Sequence, residues 1–234
     1  MRTLNQVPLP LLAFLSLILQ PFGSHSYSSS RQARRNHQSG AKVWSNKPVA
    51  SPQTLSSSTL DWKLPPLLPK VIVFDLDNTL WTPELYQIRK RPTPEKDIRL
   101  FPNVPAILKI LQQTTDITVA IASRTSHGDW ARYLLDEMQV SEDESLGSFF
   151  PIIEIQTGSK KVHMANIRDA TKVKYRDMIL FDDALALNCK EIAQLGVMCG
   201  HCPKGITLEL VQKTLDEYDK LKSQEDSWMG EIIK

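Results

Sequence analysis

The stretch VIVFDLDNTLW, Val71 to Trp81, constrains this chain more than any other. Its first four residues are apolar without a break, the pattern of a strand buried on both faces in a parallel sheet. Such strands carry chemistry where they emerge at their carboxyl ends, so Asp75 and Asp77 fall where a ligand is expected. In extended backbone residues i and i+2 share a face, and the two carboxylates are expected side by side near the Thr79 hydroxyl. Two like charges about 4 Å apart cost on the order of 4 kcal/mol at an effective dielectric near 20. A pair kept ionised therefore calls for a cation, and oxygen-only ligands favour Mg²⁺ over Zn²⁺. Read alone, the same aspartates could cap a strand end and accept backbone hydrogen bonds.

Charge is distributed unevenly along the chain. Residues 1–60 contain no acid and six basic residues, Arg2, Arg31, Arg34, Arg35, Lys42 and Lys47. The remainder carries 22 basic against 26 acidic side chains, so the formal charge of +2 hides a basic leader on a mildly acidic domain. The balance gives no argument for nucleic-acid binding. Leu9 to Leu19 is apolar but for Pro10 and Ser16, too short to span a bilayer and of the length of a signal-peptide core. Ser24-His25-Ser26 offers small residues for cleavage, and Tyr27 to Leu60 is rich in Ser and Arg without apolar periodicity, the composition of a transit peptide. The leader resembles the bipartite plastid-targeting segments of algae with secondary plastids. A secretory signal with a linker, or a mitochondrial leader, is the alternative. Residues 1–62 are accordingly set apart from a folded domain over 63–234, and no membrane span is expected in the mature protein.

Within that domain strands and helices alternate. Thr82 to Arg99 is polar, with three prolines and the cluster Arg89-Lys90-Arg91, and reads as a loop or flap whose charges either steer an anion or are merely solvated. Asn103 has the chemistry of an N-cap, with Pro105 in the first turn and Val104, Ile107, Leu108 and Leu111 at helical spacing. Strands are expected at Ile117–Ala122, Pro151–Ile155, Met178–Phe181 and Val197–Cys199. Helices are expected from Gly128 to Met138, with Trp130, Tyr133 and Leu134 inward, from a Ser159 cap to near Ala170, around Ile192 and Leu195 up to Gly196, and over Thr207–Leu221. This order predicts an α/β fold, a doubly wound parallel sheet in three layers.

Four of the strands then end in polar groups: Asp75 and Asp77, Ser123 and Arg124, Ser159 and Lys160, Asp182 and Asp183. In a parallel sheet these ends share one edge. The set offers up to four carboxylates for a metal, with a hydroxyl, a guanidinium and an ammonium for an anion, the inventory of metal-assisted phosphoryl transfer.

In order and spacing, DLDNT, Ser123, the lysine and the FDD resemble the motifs of the haloacid dehalogenase superfamily. FDLDNTLW, ASRTS, GSK with His163, FDD and the Leu-Gly-Val before the last strand are similar, more closely, to its small magnesium-dependent phosphatases, over Lys70 to Leu221. The resemblance implies a Rossmann-like domain with a minimal cap. It implies Asp75 as the nucleophile that forms an aspartyl-phosphate, and Asp77 as the acid for the leaving oxygen and then the base for water. Mg²⁺ would be held by the carboxylates of Asp75 and Asp183 and the backbone carbonyl of Asp77, with Asp182 in support. Ser123, Arg124, Lys160 and the amides of Leu76 and Asp77 would bind the phosphoryl oxygens, and Thr79 would brace the loop. Lys161 is an alternative to Lys160. The partner implied is a phosphorylated small molecule or a phosphoprotein, a phosphotyrosyl protein or a phosphorylated sugar or glycated amine, acted on by a monomer.

Three features depart from the pattern. Glu84 stands where relatives often carry an aromatic that touches substrate, Ala184 replaces the usual acid after the FDD, and the following asparagine is shifted to Asn188. Only 43 residues separate Thr79 from Ser123 and 36 separate Ser123 from Lys160, so the site is expected to be open. Two other functions compete, a catalytically silent binding module and a thiol oxidoreductase using Cys199-Gly200-His201-Cys202. The second would need a strand-to-helix junction for the first thiolate, and Pro203 follows the motif directly. A buried structural cysteine is the expectation here, with a regulatory disulfide as the alternative, and three cysteines give no disulfide framework.

Overall fold

A computed structural model describes residues 62–114, 116–224 and 230–234; the leader expectations for residues 1–61 lie outside them. In chain order the strands and helices are β1 (Val71–Phe74), β2 (Trp81–Thr82), β3 (Arg99–Leu100), α1 (Val104–Gln112), β4 (Thr118–Ser123), α2 (Gly128–Glu137), β5 (Gln139–Ser141), β6 (Glu144–Ser145), β7 (Ile152–Ile155), α3 (Lys160–Thr171), β8 (Met178–Asp182), α4 (Lys190–Ala193), β9 (Met198–His201), α5 (Leu208–Ser223) and β10 (Ile232–Ile233). Six strands form one parallel sheet in the order β10-β9-β8-β1-β4-β7. The expected doubly wound α/β architecture is what the chain adopts.

Strand alternation explains the three layers. Ile72 and Phe74 point into one apolar layer with α1, α2 and α5, while Val71 and Val73 point into the other with α3 and α4. All four are fully buried, each contributing about 1.5–3 kcal/mol relative to exposure. Phe74 stacks on Phe181 of β8 at 5.5 Å and meets Phe150 edge-on at 6.1 Å. Phe181 in turn lies against Gly200, where an added Cβ would fall 2.4 Å from its ring. Gly200 is therefore fixed by packing, which removes one residue of the CGHC motif from any functional reading. β1 lies inside the sheet, paired on both sides, with β8 and with β4.

Local expectations are met at most ends. Ser159 caps α3 by accepting from the Lys161 amide, Thr207 caps α5 through the Leu210 amide, and Gly196 takes a left-handed φ of 87° after α4. Asn103 does not cap α1: its backbone is already helical, and its side chain accepts from the Leu208 amide at the start of α5, 3.3 Å away. Trp130 and Tyr133 are only partly buried, and the fully inward residues of α2 are Ala131, Leu134 and Leu135. The flap is tied down by antiparallel pairing of β2 with β3 and by a 3-10 turn at Leu85–Gln87. Its Arg91 lies 3.6 Å over the Tyr133 ring, so one charge of the basic cluster is engaged away from the site. No helix among the described residues is long and apolar enough to cross a membrane.

Candidate active site

Beyond Phe74 the backbone leaves the extended form. The amides of Thr79, Leu80 and Trp81 all converge on the Leu76 carbonyl, at 3.2, 2.9 and 3.2 Å, and Asn78 takes a left-handed φ of 56°. This tight loop corrects the picture of two carboxylates and a hydroxyl on one strand face. Thr79 is fully buried and its hydroxyl contacts Cys202 Sγ at 3.6 Å, bracing the loop from behind. The Asp77 carboxylate swings the other way, accepting from Trp81 Nε1 at 2.7 Å and the Leu85 amide at 3.3 Å.

Asp75 meets the other strand ends directly. Lys160, at the first position of α3 and fully buried, donates to Asp75 Oδ1 at 2.8 Å and to the Ala122 carbonyl at 2.5 Å, and lies 3.0 Å from Asp182 Oδ2. Its three N–H donors thus have three acceptors. Burial alone would pull its pKa down, but Asp75 and Asp182 outweigh that and raise it, so the ammonium stays charged. This geometry singles out Lys160 over its neighbour Lys161. It also places the ammonium behind the cavity, against the nucleophile candidate, and not on the wall with Ser123 and Arg124.

Three carboxylates gather here: oxygen atoms of Asp75, Asp182 and Asp183 lie within 4.8 Å of one another. They are not equivalent. Asp182 is completely buried and saturated, with Oδ1 accepting from the Ala184 amide at 2.8 Å and both oxygens accepting from Asn188 Nδ2 at 2.9 and 3.0 Å. Asp183 is half-buried, and burial and the Asp182 charge push its pKa up to about 6. Burial likewise raises Asp75, against the pull of Lys160, and Asp77 is raised by burial against its bonds to Trp81 and Leu85. Surplus negative charge with hard oxygen donors fits a small divalent cation at Asp75 and Asp183. The Asp77 carboxylate, turned to Trp81, is not part of this group.

A cavity of about 500 Å³ opens in front, lined among others by Asp75, Asp77, Asp183, Ser123, Arg124, Thr157 and Gly158. The expected residues of three strand ends therefore face one space, with Lys160 and Asp182 as its backing. Two residues outside the expected set hold it together. Asn188, on a single π-helical turn (Leu185–Cys189) before α4, bonds Asp182 and accepts from Arg124 Nη1 at 2.9 Å. The motif comparison placed Asn188 as a displaced asparagine, and the wider turn is what returns it to the site. His163, fully buried on α3, has its ring nitrogens 3.1 Å from the Ser159 carbonyl and 2.9 Å from those of Ser123 and Gln156, fastening the end of β4 to the start of α3. Its place after GSK was the available signal.

Cys199 and Cys202 are buried, as expected, but the pairing is not the one the motif suggests. Cys199 on β9 is bonded to Cys189, ten residues earlier, because the π turn seats Cys189 beside the strand. The CGHC cysteines are not paired with each other. Cys202 is the free cysteine among the described residues, buried, and burial pushes its thiol up to about 12. A reactive thiolate needs the opposite environment.

Fold and site together define a phosphatase of the haloacid dehalogenase kind: a central parallel sheet, an aspartate at the end of its middle strand, a buried lysine from α3 and paired acids ending β8. Residues 67–221 match the acid phosphatase family model, and the chain belongs to that family. It is 34% identical over 167 residues to human magnesium-dependent phosphatase 1, an alignment covering 67% of this chain and 90% of the relative. It is 32% identical over 145 residues to a haloacid-dehalogenase-like hydrolase superfamily protein of Schizosaccharomyces pombe, covering 55% and 83% respectively. Among solved structures, a haloacid-dehalogenase-like family hydrolase from Xanthomonas campestris shares the fold at a TM-score of 0.50 and 10% identity, over 68% of this chain and 99% of that one.

Proposed function

We propose that the protein hydrolyses phosphate monoesters through a phosphorylated Asp75, with Mg²⁺ bound by the carboxylates of Asp75 and Asp183 and the backbone carbonyl of Asp77. The observation that carries this reading is the placement of Asp75, with one oxygen fixed by Lys160 and the carboxyl lining the cavity beside Asp183. The cation would neutralise charge shared by the carboxylates and the transferring phosphoryl group. Support for the metal comes from the donor set and from the magnesium dependence in the human relative's name.

The residues divide the work as follows. Arg124, the Ser123 hydroxyl and the amides of Leu76 and Asp77 bind and orient the phosphoryl oxygens. Lys160 opposes the burial that raises Asp75 and aims the carboxylate by holding Oδ1, leaving the second oxygen to attack phosphorus. As that bond forms, the phosphorus bond to the leaving oxygen breaks, and Asp77 delivers its proton to that oxygen. Its bonds to Trp81 and Leu85 aim the carboxyl, and burial keeps it protonated to higher pH than a free aspartate. Asp77 then takes a proton from water, whose oxygen attacks phosphorus and releases Asp75 and inorganic phosphate.

The open cavity suits a phosphotyrosyl side chain or a phosphorylated sugar or glycated amine, as expected from the short spans between motifs. Residues 1–62 we read as a leader that delivers the domain to a plastid; a fluorescent fusion held in the secretory pathway or sent to mitochondria would contradict this.

The activity is tested with p-nitrophenyl phosphate in Mg²⁺ and in EDTA, alongside Asp75→Asn. Turnover lost in EDTA and lowered at least ~10³-fold in the variant is expected. A folded, Mg²⁺-loaded protein that turns over no phosphate ester would instead be a silent binding module.

A further inference from the structure

Three residues that line the cavity, Glu84, Tyr86 and Leu187, have no part in the chemistry above. Glu84 is half-buried just ahead of the 3-10 turn, and Tyr86 and Leu187, which are 66% and 68% exposed, form the rim. Glu84 Oε1 accepts from Asn78 Nδ2 at 2.6 Å, which aims the carboxylate. Among the described residues Glu84 has no salt-bridge partner. It stands outside the group of Asp75, Asp182 and Asp183, yet near enough for its charge to raise both Asp183 and Asp77. The cations nearest the floor are taken, Lys160 by Asp75 and Asp182, and Arg124, anchored by Asn188, by the phosphoryl group. A cation at Asp75 and Asp183 is shared among their carboxylates and the phosphoryl group, so Glu84, beside Asp77, which serves the leaving oxygen, keeps a charge that a positive group on the substrate would answer.

We propose that Glu84 is a specificity residue that selects phosphate monoesters whose leaving group carries a positive charge beside the ester oxygen, with the apolar part of that group against Tyr86 and Leu187. This rests on the phosphatase reading and narrows its substrate class to phosphorylated ammonium compounds. Esters whose leaving group bears a further negative charge are disfavoured, because they bring like charge to Glu84, Asp77 and Asp183. A partly exposed ion pair of this kind is worth about a fivefold preference.

The test compares phosphocholine with 3,3-dimethylbutyl phosphate, its uncharged isostere, by kcat/KM with Mg²⁺ in the wild-type protein, Glu84→Gln and Glu84→Lys. The expected preference for the cationic ester is about fivefold, falling to about one in Glu84→Gln and inverting in Glu84→Lys. A wild-type ratio near one, or a ratio that Glu84→Gln does not move because both esters slow equally, overturns the proposal. p-Nitrophenyl phosphate run in parallel separates the two readings. Its turnover without charge preference sinks this inference alone, whereas no turnover of any ester sinks the phosphatase reading with it.

Discussion

The floor and the mouth of the cavity are built on opposite terms. At the floor Lys160 and Asp182 are buried and fully bonded: Lys160 has three acceptors, Asp182 takes Asn188 and the Ala184 amide, and neither side chain touches solvent. At the mouth Glu84 faces the cavity without a salt-bridge partner among the described residues, and Tyr86 and Leu187 stand in water. A reaction common to many esters needs the first arrangement, because positioning leaves no slack. Choice among esters is made where side chains are free to vary without unfolding the sheet. The contrast predicts that floor variants lose stability and activity together, whereas rim variants change rates for particular substrates and little else.

The largest effect is expected at Lys160. Lys160→Met leaves Asp75 and Asp182 facing each other without their cation, a loss of about 3–5 kcal/mol by thermal or urea unfolding at pH 7. Part of that stability should return toward pH 5, because protonation removes the buried charges; a variant as stable as wild type at pH 7 would break the comparison. Asn188→Ala ranks next. It strips a donor from both Asp182 oxygens and the acceptor from Arg124, with a cost of about 1–3 kcal/mol and a raised KM from an unanchored guanidinium.

Metal affinity sharpens the picture between floor and mouth. Asp183 has a raised pKa of about 6, so a proton competes with the cation below that pH. Mg²⁺ binding is expected to weaken as pH falls from 7 to 5, approaching tenfold per unit for each proton displaced, by calorimetry on the wild-type protein. Affinity indifferent to pH over that range would mean that Asp183 is no ligand. The smallest effect belongs to the rim. Tyr86→Ala should change stability by no more than about 0.5 kcal/mol, while altering kcat/KM for esters with bulky leaving groups.

What the sequence disclosed follows the same divide. The buried VIVF run, the polar residues ending β4 and β8 and the serine before α3 are local signals, and each was placed within a residue or two. Contacts made at a distance were not legible. Asn103 was assigned to its own helix and serves α5 instead, because side-chain capping depends on where another element begins. The i, i+2 spacing sets Thr79 beside the aspartates, but a loop of three amides on one carbonyl turns it toward Cys202. The disulfide joins Cys199 to Cys189 and not to Cys202, a pairing set by the π turn. β10 and the β5–β6 hairpin are too short to leave a period, and they form because stronger neighbours present an edge or a close approach.

The central claim is a covalent bond to Asp75, and borohydride trapping tests it most directly. Enzyme turning over p-nitrophenyl phosphate with Mg²⁺ is quenched into borohydride, which reduces an acyl phosphate to the alcohol, and the modified residue is located by peptide mass spectrometry. The account predicts homoserine at position 75 and nowhere else, dependent on substrate and absent in EDTA. Trapping at Asp77 or Asp183, or continued turnover with Asp75 never modified, would contradict it.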